Sequence, residues 1–211
     1  MAVCPFAVQK LIPAGSNDPR ITPRVAILHV DAGNADSLYD YFKNRSGGIE
    51  SHFHVKRDGT IEQYRDTAFQ ADANYNANDF AVSIETQGYG AGEWTHAQLA
   101  AIKKLLLWLN RTHDIPLRKV QRWNGSGVGY HTLIGAPSQW TPVAKSCPGP
   151  DRIRQFNEAL VPWLRRQDPE RQAARQERRE RRRRLARLRE LLTKVVKRAR
   201  NLRARLRKAQ G

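Results

Sequence analysis

Short apolar runs recur in the first half of the chain, and each stops abruptly at a polar or turn-forming residue. They are RVAILH at 24–29, SHFHV at 51–55, IEQY at 61–64 and FAVSIE at 80–85. Runs of this length, rich in Val, Ile and Phe, predict β-strands. An Asp-Gly pair, Asp58-Gly59, joins the second run to the third and predicts a hairpin. The Asn- and Ala-rich stretch 72–79 predicts a loop.

Helical periodicity is clearest at residues 95–110. Thr95 provides a cap, and the apolar side chains that follow form one stripe: Leu99, Ile102, Leu105, Leu106 and Leu109. Shorter helices are predicted at 37–43 and, capped by Asp151, at 152–164, with a short strand at 118–120. Strands and helices mixed along one chain predict an α/β (α+β) domain with one central sheet.

Charge divides the chain into two parts. The net charge is +17, and residues 165–211 hold 20 basic and 5 acidic side chains, whereas residues 1–164 hold 17 and 15. The first part also contains all five Trp, all six Tyr and all six Phe. Because large apolar side chains build a core, we predict one globular domain at 1–164 and a highly basic helical tail at 165–211.

The tail has a helical pattern of its own. Apolar side chains alternate at steps of 3 and 4 residues over 185–206, which predicts a heptad seam. The flanking e and g positions of this heptad include five arginines: Arg184, Arg189, Arg198, Arg203 and Arg205. Like charges there oppose pairing of two identical parallel copies. Three partners stay open: an acidic partner helix, an anionic membrane surface, and a polyanion such as teichoic acid, lipopolysaccharide or nucleic acid. The alternative without a partner is a helix that packs on the protein's own domain or stays solvated. We favour targeting to the anionic cell envelope.

Several protein classes are excluded by what the sequence lacks. It has no run of about 18 apolar residues, so no transmembrane helix is predicted. The N-terminal segment has no basic region followed by a continuous apolar stretch, so we expect no secretory signal peptide. Two cysteines, Cys4 and Cys147, are too few for a disulfide framework. We therefore expect synthesis in a reducing cytoplasm, where a lone cysteine is a thiol or a metal ligand.

Three residues stand where metal ligands would. His29 ends a predicted strand, His131 follows a Gly-rich turn, and Cys147 lies in a Pro-rich loop. Two imidazoles and one thiolate suit Zn²⁺ and leave a fourth position open for water, as hydrolysis requires. Taken singly, each has a structural alternative: a strand-end His, a loop His and a buried thiol. Spacing alone cannot bring them together.

Five segments occur in an order that identifies a family. They are VAILHVDAG, SHFHVKRDGTIEQ, NDFAVSIETQG, GYHTLIG and AKSCPGP. In this order they resemble the zinc N-acetylmuramoyl-L-alanine amidases of the phage-lysozyme type, which share a fold with peptidoglycan recognition proteins. The resemblance covers about residues 8–164. It implies a mixed central sheet flanked by helices, with zinc in a surface groove, and it places the ligands on His29, His131 and Cys147.

The resemblance also implies two catalytic residues. Lys145 matches the lysine of the family's K-x-C motif, where a cation can stabilise an oxyanion. Glu85 stands where many of these amidases carry an acid that handles the proton of the attacking water. A solvated loop lysine and a solvent-facing strand-end glutamate are the alternatives. Ser51 stands where some phage members carry Tyr. His52 and His54 share one face of their strand, and we expect them to be structural.

These expectations define a function. The resemblance implies a zinc hydrolase that cuts the amide between N-acetylmuramic acid and L-alanine in peptidoglycan, acting as an endolysin. Such a protein waits in the host cytoplasm and reaches the cell wall at lysis. One alternative is a module that binds peptidoglycan without cutting it, although the retained ligands and Lys145 argue against this. Another is a nucleic-acid-associated protein that acts through its tail, although the domain has no recognisable nucleic-acid-binding motif.

Overall fold

Six short strands form one mixed sheet in the computed structural model, which describes residues 2–13, 18–44, 51–135, 140–141, 145–167, 173, 176–178 and 180–194. The strands are β1 (Val8–Gln9), β2 (Val25–Leu28), β3 (Phe53–Val55), β4 (Ile61–Gln63), β5 (Ala81–Thr86) and β6 (Gly127–Tyr130). Their order across the sheet is β1-β4-β3-β5-β2-β6. Strands β3 and β4 pair antiparallel, and the other neighbours pair parallel. The predicted mixed central sheet is confirmed.

The four strands predicted from the apolar runs are all present, whereas β1 and β6 have no clear apolar pattern. Strand β6 reads GVGY, and glycine is depleted in strands because it packs no side chain. Here glycine makes room: a Cβ on Gly129 would lie 2.8 Å from the Trp140 ring. The strand predicted at 118–120 is only an isolated bridge between Lys119 and Val128. The Asp-Gly hairpin forms as predicted, with Gly59 at φ +89°.

The helices of the domain are α1 (Tyr39–Asn44), α2 (His96–His113), α3 (Pro150–Gln155) and α4 (Val161–Gln167). Helix α2 begins with a capping box, in which Thr95 accepts from the Gln98 N–H and the Gln98 side chain accepts from the Thr95 N–H. Its predicted apolar stripe is buried against the sheet: Leu99, Ile102, Leu105, Leu106 and Leu109.

The predicted cap at Asp151 is wrong. Helix α3 begins at Pro150 with Gly149 as its N-cap, because proline's fixed φ suits the first helical position. Asp151 lies in the first turn and accepts from the Gly92 N–H at 2.9 Å. A π-helical segment, Phe156–Leu160, joins α3 to α4.

The two faces of β2 determine where the functional residues lie. Ala26 and Leu28 belong to the large core cluster that contains α2, whereas Val25 and Ile27 belong to a second cluster with Trp140. Successive strand residues point to opposite faces. His29 therefore continues the Val25–Ile27 side, away from α2.

The chain forms two compact units, residues 1–165 and 166–211. In the second unit, residues 180–194 are helical and their side chains are exposed; we call this segment the tail helix. The part of the predicted heptad seam beyond residue 194 lies outside the described residues. Among the helices that the structure describes, none combines the length and apolar character needed to cross a bilayer.

Candidate metal centre

Two histidines meet because two parallel strands end side by side. In the β2–β6 register Leu28 pairs with Tyr130, so the next residues, His29 and His131, emerge together at the carboxyl edge. Their ring centroids are 4.5 Å apart, and both side chains are buried. The structure therefore brings together two predicted ligands that are distant in sequence.

Cys147 reaches the same point from its loop. Donor atoms of His29, His131 and Cys147 all lie within 4.8 Å of one another. Cys147 Sγ is 3.8 Å from His29 Nδ1 and accepts from the Val30 N–H at 3.3 Å. Thr132 Oγ1 donates to the Cys147 carbonyl at 3.0 Å and so fastens the loop to the end of β6. All three predicted ligands therefore converge.

The electrostatics of this cluster suit a bound cation. Burial, and then the neighbouring His131, hold the pKa of His29 well below its usual value. Burial, and then the charge of Lys145, lower the pKa of His131 to about 4. Burial and the Glu85 carboxylate raise the pKa of Cys147 to about 12. Neutral imidazoles are the ligand form of histidine, and a cation would offset the cost of a buried thiolate.

One polar atom of the cluster is left unsatisfied. His131 Nε2 is buried and has no hydrogen-bond partner among the described residues. Such a group normally costs about 1–3 kcal/mol. An unsatisfied imidazole nitrogen beside a thiol and a second imidazole fits a zinc ion in both number and chemistry of donors.

A short turn within the predicted loop 72–79 contributes two further residues to the cluster. Asn74 is fully buried, and its Oδ1 accepts from His29 Nε2 at 2.7 Å. Next to it begins a 3₁₀ turn, Tyr75–Ala77, in which Tyr75 has φ +47°. The Tyr75 ring stacks on His131 with centroids 6.1 Å apart. The sequence offered no signal for Asn74, because an Asn in a polar loop has no local pattern.

The two predicted catalytic residues lie at this centre. Glu85 Oε1 is 4.0 Å from His29 Nδ1, and the carboxylate is mostly buried. Lys145 is exposed, and its Nζ lies 5.3 Å from the centroid of the Tyr75 ring. Its charge acts on the pKa values of both His131 and Cys147. A carboxylate and a cation thus accompany the three donors.

The other residues singled out on β3 and just before it have structural partners. Ser51 Oγ donates to the Phe53 and Ser83 carbonyls. His52 Nε2 donates to the Phe69 carbonyl at 2.9 Å, and its Nδ1 accepts from the Ser83 N–H at 3.0 Å. These bonds hold Ser51 and His52 within the fold.

His54 and Asp31 form a buried pair behind His29. His54 Nε2 lies 3.3 Å from Asp31 Oδ2, and both side chains are fully buried. The Asp31 carboxylate also accepts from the N–H groups of Asn34, Ala35 and Gly88. The Asp31 carboxylate thereby stabilises the turn that follows His29.

A buried arginine fastens the cysteine loop from below. Arg152 is 1% exposed and donates to the carbonyls of Tyr89, at 2.7 Å, and Pro148, at 3.3 Å. The same two segments touch where Gly149 meets Gly90, since a Cβ on Gly149 would lie 1.9 Å from the Gly90 oxygen. The segment after β5 thereby sets the position of the Cys147 loop. The sequence did not predict this role for Arg152.

Comparisons with solved structures show the same fold in amidases and recognition proteins. The chain is similar to the N-acetylmuramoyl-L-alanine amidase LysC from Clostridium intestinale URNW, with 18% identity and a TM-score of 0.54 over 72% of this chain and 95% of that chain. It is also similar to the Drosophila peptidoglycan recognition protein PGRP-SA, with 14% identity and a TM-score of 0.56 over 74% of this chain and 93% of that chain. A third similar structure is human PGRP-IBETAC in complex with glycosamyl muramyl pentapeptide, with 14% identity and a TM-score of 0.57 over 75% of this chain and 98% of that chain.

Sequence comparison gives the family. No curated protein sequence matches the chain. The model of the N-acetylmuramoyl-L-alanine amidase family, Amidase_2, matches residues 19–150, a span that contains His29, Glu85, His131 and Cys147 and covers more than half of the chain. The chain therefore belongs to the N-acetylmuramoyl-L-alanine amidase family.

Proposed function

We propose that this protein is a zinc hydrolase that cleaves the amide bond between N-acetylmuramic acid and L-alanine in peptidoglycan. The observation that carries the proposal is the convergence of His29, His131 and Cys147 within 4.8 Å, in a chain of the amidase family. These three residues would hold the zinc ion, with one coordination position open. When bound, zinc supplies Lewis acidity, which lowers the pKa of a coordinated water and polarises a carbonyl oxygen.

Glu85 moves the proton in this proposal. Its carboxylate is mostly buried and lies 4.0 Å from His29, at the edge of the donor cluster. There it accepts the proton of the attacking water and then passes it to the nitrogen of the departing L-alanine. The C–N bond breaks as that nitrogen is protonated, so the products are a lactyl carboxylate and a free amine.

Lys145 stabilises the oxyanion that forms on the substrate carbonyl. Its ammonium is exposed towards solvent and lies 5.3 Å from the centre of the Tyr75 ring, which holds it by a cation–π contact. Tyr75 itself stacks on His131, so the ring links the lysine to the donor cluster. A fixed cation beside the reacting carbonyl stabilises developing negative charge more than the neutral substrate.

We further propose that the protein acts as a phage endolysin. It would wait in the host cytoplasm and act on the cell wall after release at lysis. Residues 165–211 carry 20 basic against 5 acidic side chains, which supports retention at an anionic cell-envelope polymer or membrane surface. Nucleic acid is the less favoured partner.

A paired assay tests the proposal. Purified protein and the Cys147→Ala variant are compared for zinc per chain and for amino groups released from purified peptidoglycan. We expect one zinc per chain and new L-alanine amino termini, with both lost in the variant. Bound zinc without released termini would indicate a recognition module instead. Absence of zinc in the intact protein would refute the metal centre.

A further inference from the structure

The tail helix, residues 180–194, presents a stripe of exposed leucines. Leu185, Leu188, Leu191 and Leu192 are 49%, 53%, 56% and 64% exposed. At about 100° per residue these positions fall within an arc of about 120° on one side of the helix. Such a surface is costly in water, because exposed leucine side chains gain free energy when they leave water for an apolar environment.

The stripe is wider than a coiled-coil seam. Leu185, Leu188 and Leu192 follow steps of 3 and 4 and would fill the a and d positions of a heptad. Leu191 falls at a g position, where a coiled coil usually carries a charged residue. Its exposure extends the apolar surface to one side of the seam. A flat apolar surface fits this shape better than the groove of one partner helix.

Charge around the stripe selects an anionic partner. The tail helix carries two acidic residues, Glu180 and Glu190, and seven basic ones: Arg181, Arg182, Arg183, Arg184, Arg187, Arg189 and Lys194. On the helical wheel Arg187 and Arg189 border the leucines on opposite sides. The apolar stem of an arginine at such a border can cover apolar surface while its guanidinium extends towards anionic groups. Glu190 lies on the far side and pairs with Lys194 at 2.6 Å.

We propose that the tail helix binds the surface of an anionic phospholipid bilayer and lies parallel to it. The leucines enter the boundary between headgroups and acyl chains, and the arginines pair with lipid phosphates. A polyanion that lacks an apolar layer would engage the arginines and leave the leucines in water. The inference rests on the envelope targeting proposed above and names its partner.

Vesicle binding of the full chain tests this partner. Co-sedimentation is measured with vesicles of equal parts phosphatidylglycerol and phosphatidylcholine, and with pure phosphatidylcholine vesicles. The test variant is Leu185→Gln/Leu188→Gln/Leu192→Gln, which removes apolar surface and keeps every charge. The matched control is Ala186→Gln/Thr193→Gln, on the opposite side of the helix. A 20-base-pair DNA duplex measures charge-driven binding of all three proteins.

We expect tight binding to the anionic vesicles and at least tenfold weaker binding to the neutral ones. The leucine variant should lose at least tenfold in affinity for anionic vesicles, the control should stay within twofold, and duplex binding should be equal for all three. The proposal is overturned if the leucine variant binds anionic vesicles like the parent, or if the parent binds duplex but not vesicles. It is also overturned if light scattering shows a parent dimer that the leucine substitutions separate.

Zinc content and release of amino groups from purified peptidoglycan are measured on the same samples. An active protein that fails to bind vesicles refutes the lipid partner and leaves the amidase proposal intact. A protein that binds vesicles but holds no zinc and releases no amino groups refutes the amidase proposal and leaves the lipid partner intact.

Discussion

His29 Nε2 donates a 2.7 Å hydrogen bond to Oδ1 of Asn74, and both side chains are buried. A carboxamide oxygen only accepts, so the proton of the imidazole resides on Nε2. Nδ1 then keeps its lone pair, and it lies 3.8 Å from Cys147 Sγ. The turn that carries Asn74 thus selects the tautomer that a metal ligand bound through Nδ1 requires.

Loss of this hydrogen bond should weaken zinc binding. We expect Asn74→Ala to lower zinc affinity about 10–100-fold, the usual effect of removing a group that orients a ligating histidine. Asn74→Asp keeps the acceptor and should stay within a few-fold of the parent. Asn74→Asp removes only the Nδ2 group of Asn74, which is buried and has no hydrogen-bond partner among the described residues, so no hydrogen bond is lost with it. Competition with a chromophoric chelator measures both affinities, and equal affinity in Asn74→Ala would contradict the assigned role.

Removal of the Lys145 charge should slow the reaction without releasing zinc. Lys145→Met should lower kcat about 10²–10³-fold, the range seen when one oxyanion-stabilising group is lost. Lys145→Arg, which keeps the cation, should retain most of the activity. The measurements are release of amino groups from peptidoglycan and zinc per chain. A Lys145→Met variant with unchanged kcat would show that Lys145 is a solvated loop residue.

Arg152 should matter for stability far more than its exposed neighbour. Arg152→Met leaves the Tyr89 and Pro148 carbonyls without their donor, so we expect a loss of about 1–3 kcal/mol for each carbonyl in the free energy of unfolding. The matched control is Arg154→Gln, because Arg154 pairs with Glu93 at 3.0 Å but both side chains are 52% exposed. It should cost far less than Arg152→Met, because solvent screens an exposed ion pair. Urea unfolding with zinc removed measures both, and equal losses would contradict the interpretation.

Substitutions at two glycines with nearly the same φ should distinguish the cost of backbone strain from the cost of close packing. Gly149 and Gly92 have φ of +93° and +94°, but a Cβ on Gly149 would lie 1.9 Å from the Gly90 oxygen, whereas a Cβ on Gly92 meets nothing within 4 Å. We expect Gly92→Ala to cost about 1–2 kcal/mol from strain alone. Gly149→Ala should cost clearly more and should also lower zinc affinity, because Gly149 adjoins the Cys147 loop. Thermal unfolding and chelator competition test this, and equal effects of the two substitutions would argue against it.

The fold should lose stability in mild acid through His52. Burial, and then the charges of Arg65 and His113, lower the pKa of His52 from 6.5 to about 4. A histidine with a lowered folded-state pKa contributes fully above the unfolded pKa, and the contribution falls away as the pH drops towards the folded value. Between pH 6.5 and 4 we expect His52 to account for up to about 3 kcal/mol of lost stability.

His52→Gln isolates this effect. A glutamine does not titrate, so the variant should be less stable than the parent at pH 7 and should close most of that gap by pH 4. Urea unfolding across this range gives the difference directly. A gap that is constant with pH would show that His52 does not remain neutral in the folded protein.

Local patterns predicted most of the secondary structure. Strand β2 and helix α2 were predicted because their apolar residues recur at periods set by the backbone itself. Strand β6 was missed because glycines replace the β-prone residues there, and their reason is the Trp140 ring packed against Gly129. Helix α3 begins at Pro150 with Gly149 as its N-cap, and not at the predicted cap Asp151, because proline suits the first helical position. Asp151 instead accepts a hydrogen bond from the Gly92 N–H, a contact that the local sequence does not show.

The sequence by itself determined the family and its order of motifs, the separation of a nearly neutral domain from a basic tail, and the set of residues with the right donor chemistry. Only the tertiary structure decided that His29, His131 and Cys147 meet, because the parallel β2–β6 register aligns two strand ends that are distant in sequence. It also assigned the supporting positions of Asn74 and Arg152. Asn74 contacts the His29 ring 45 residues away, and Arg152 contacts the Tyr89 carbonyl 63 residues away. Contacts over such distances leave no periodic trace in the sequence.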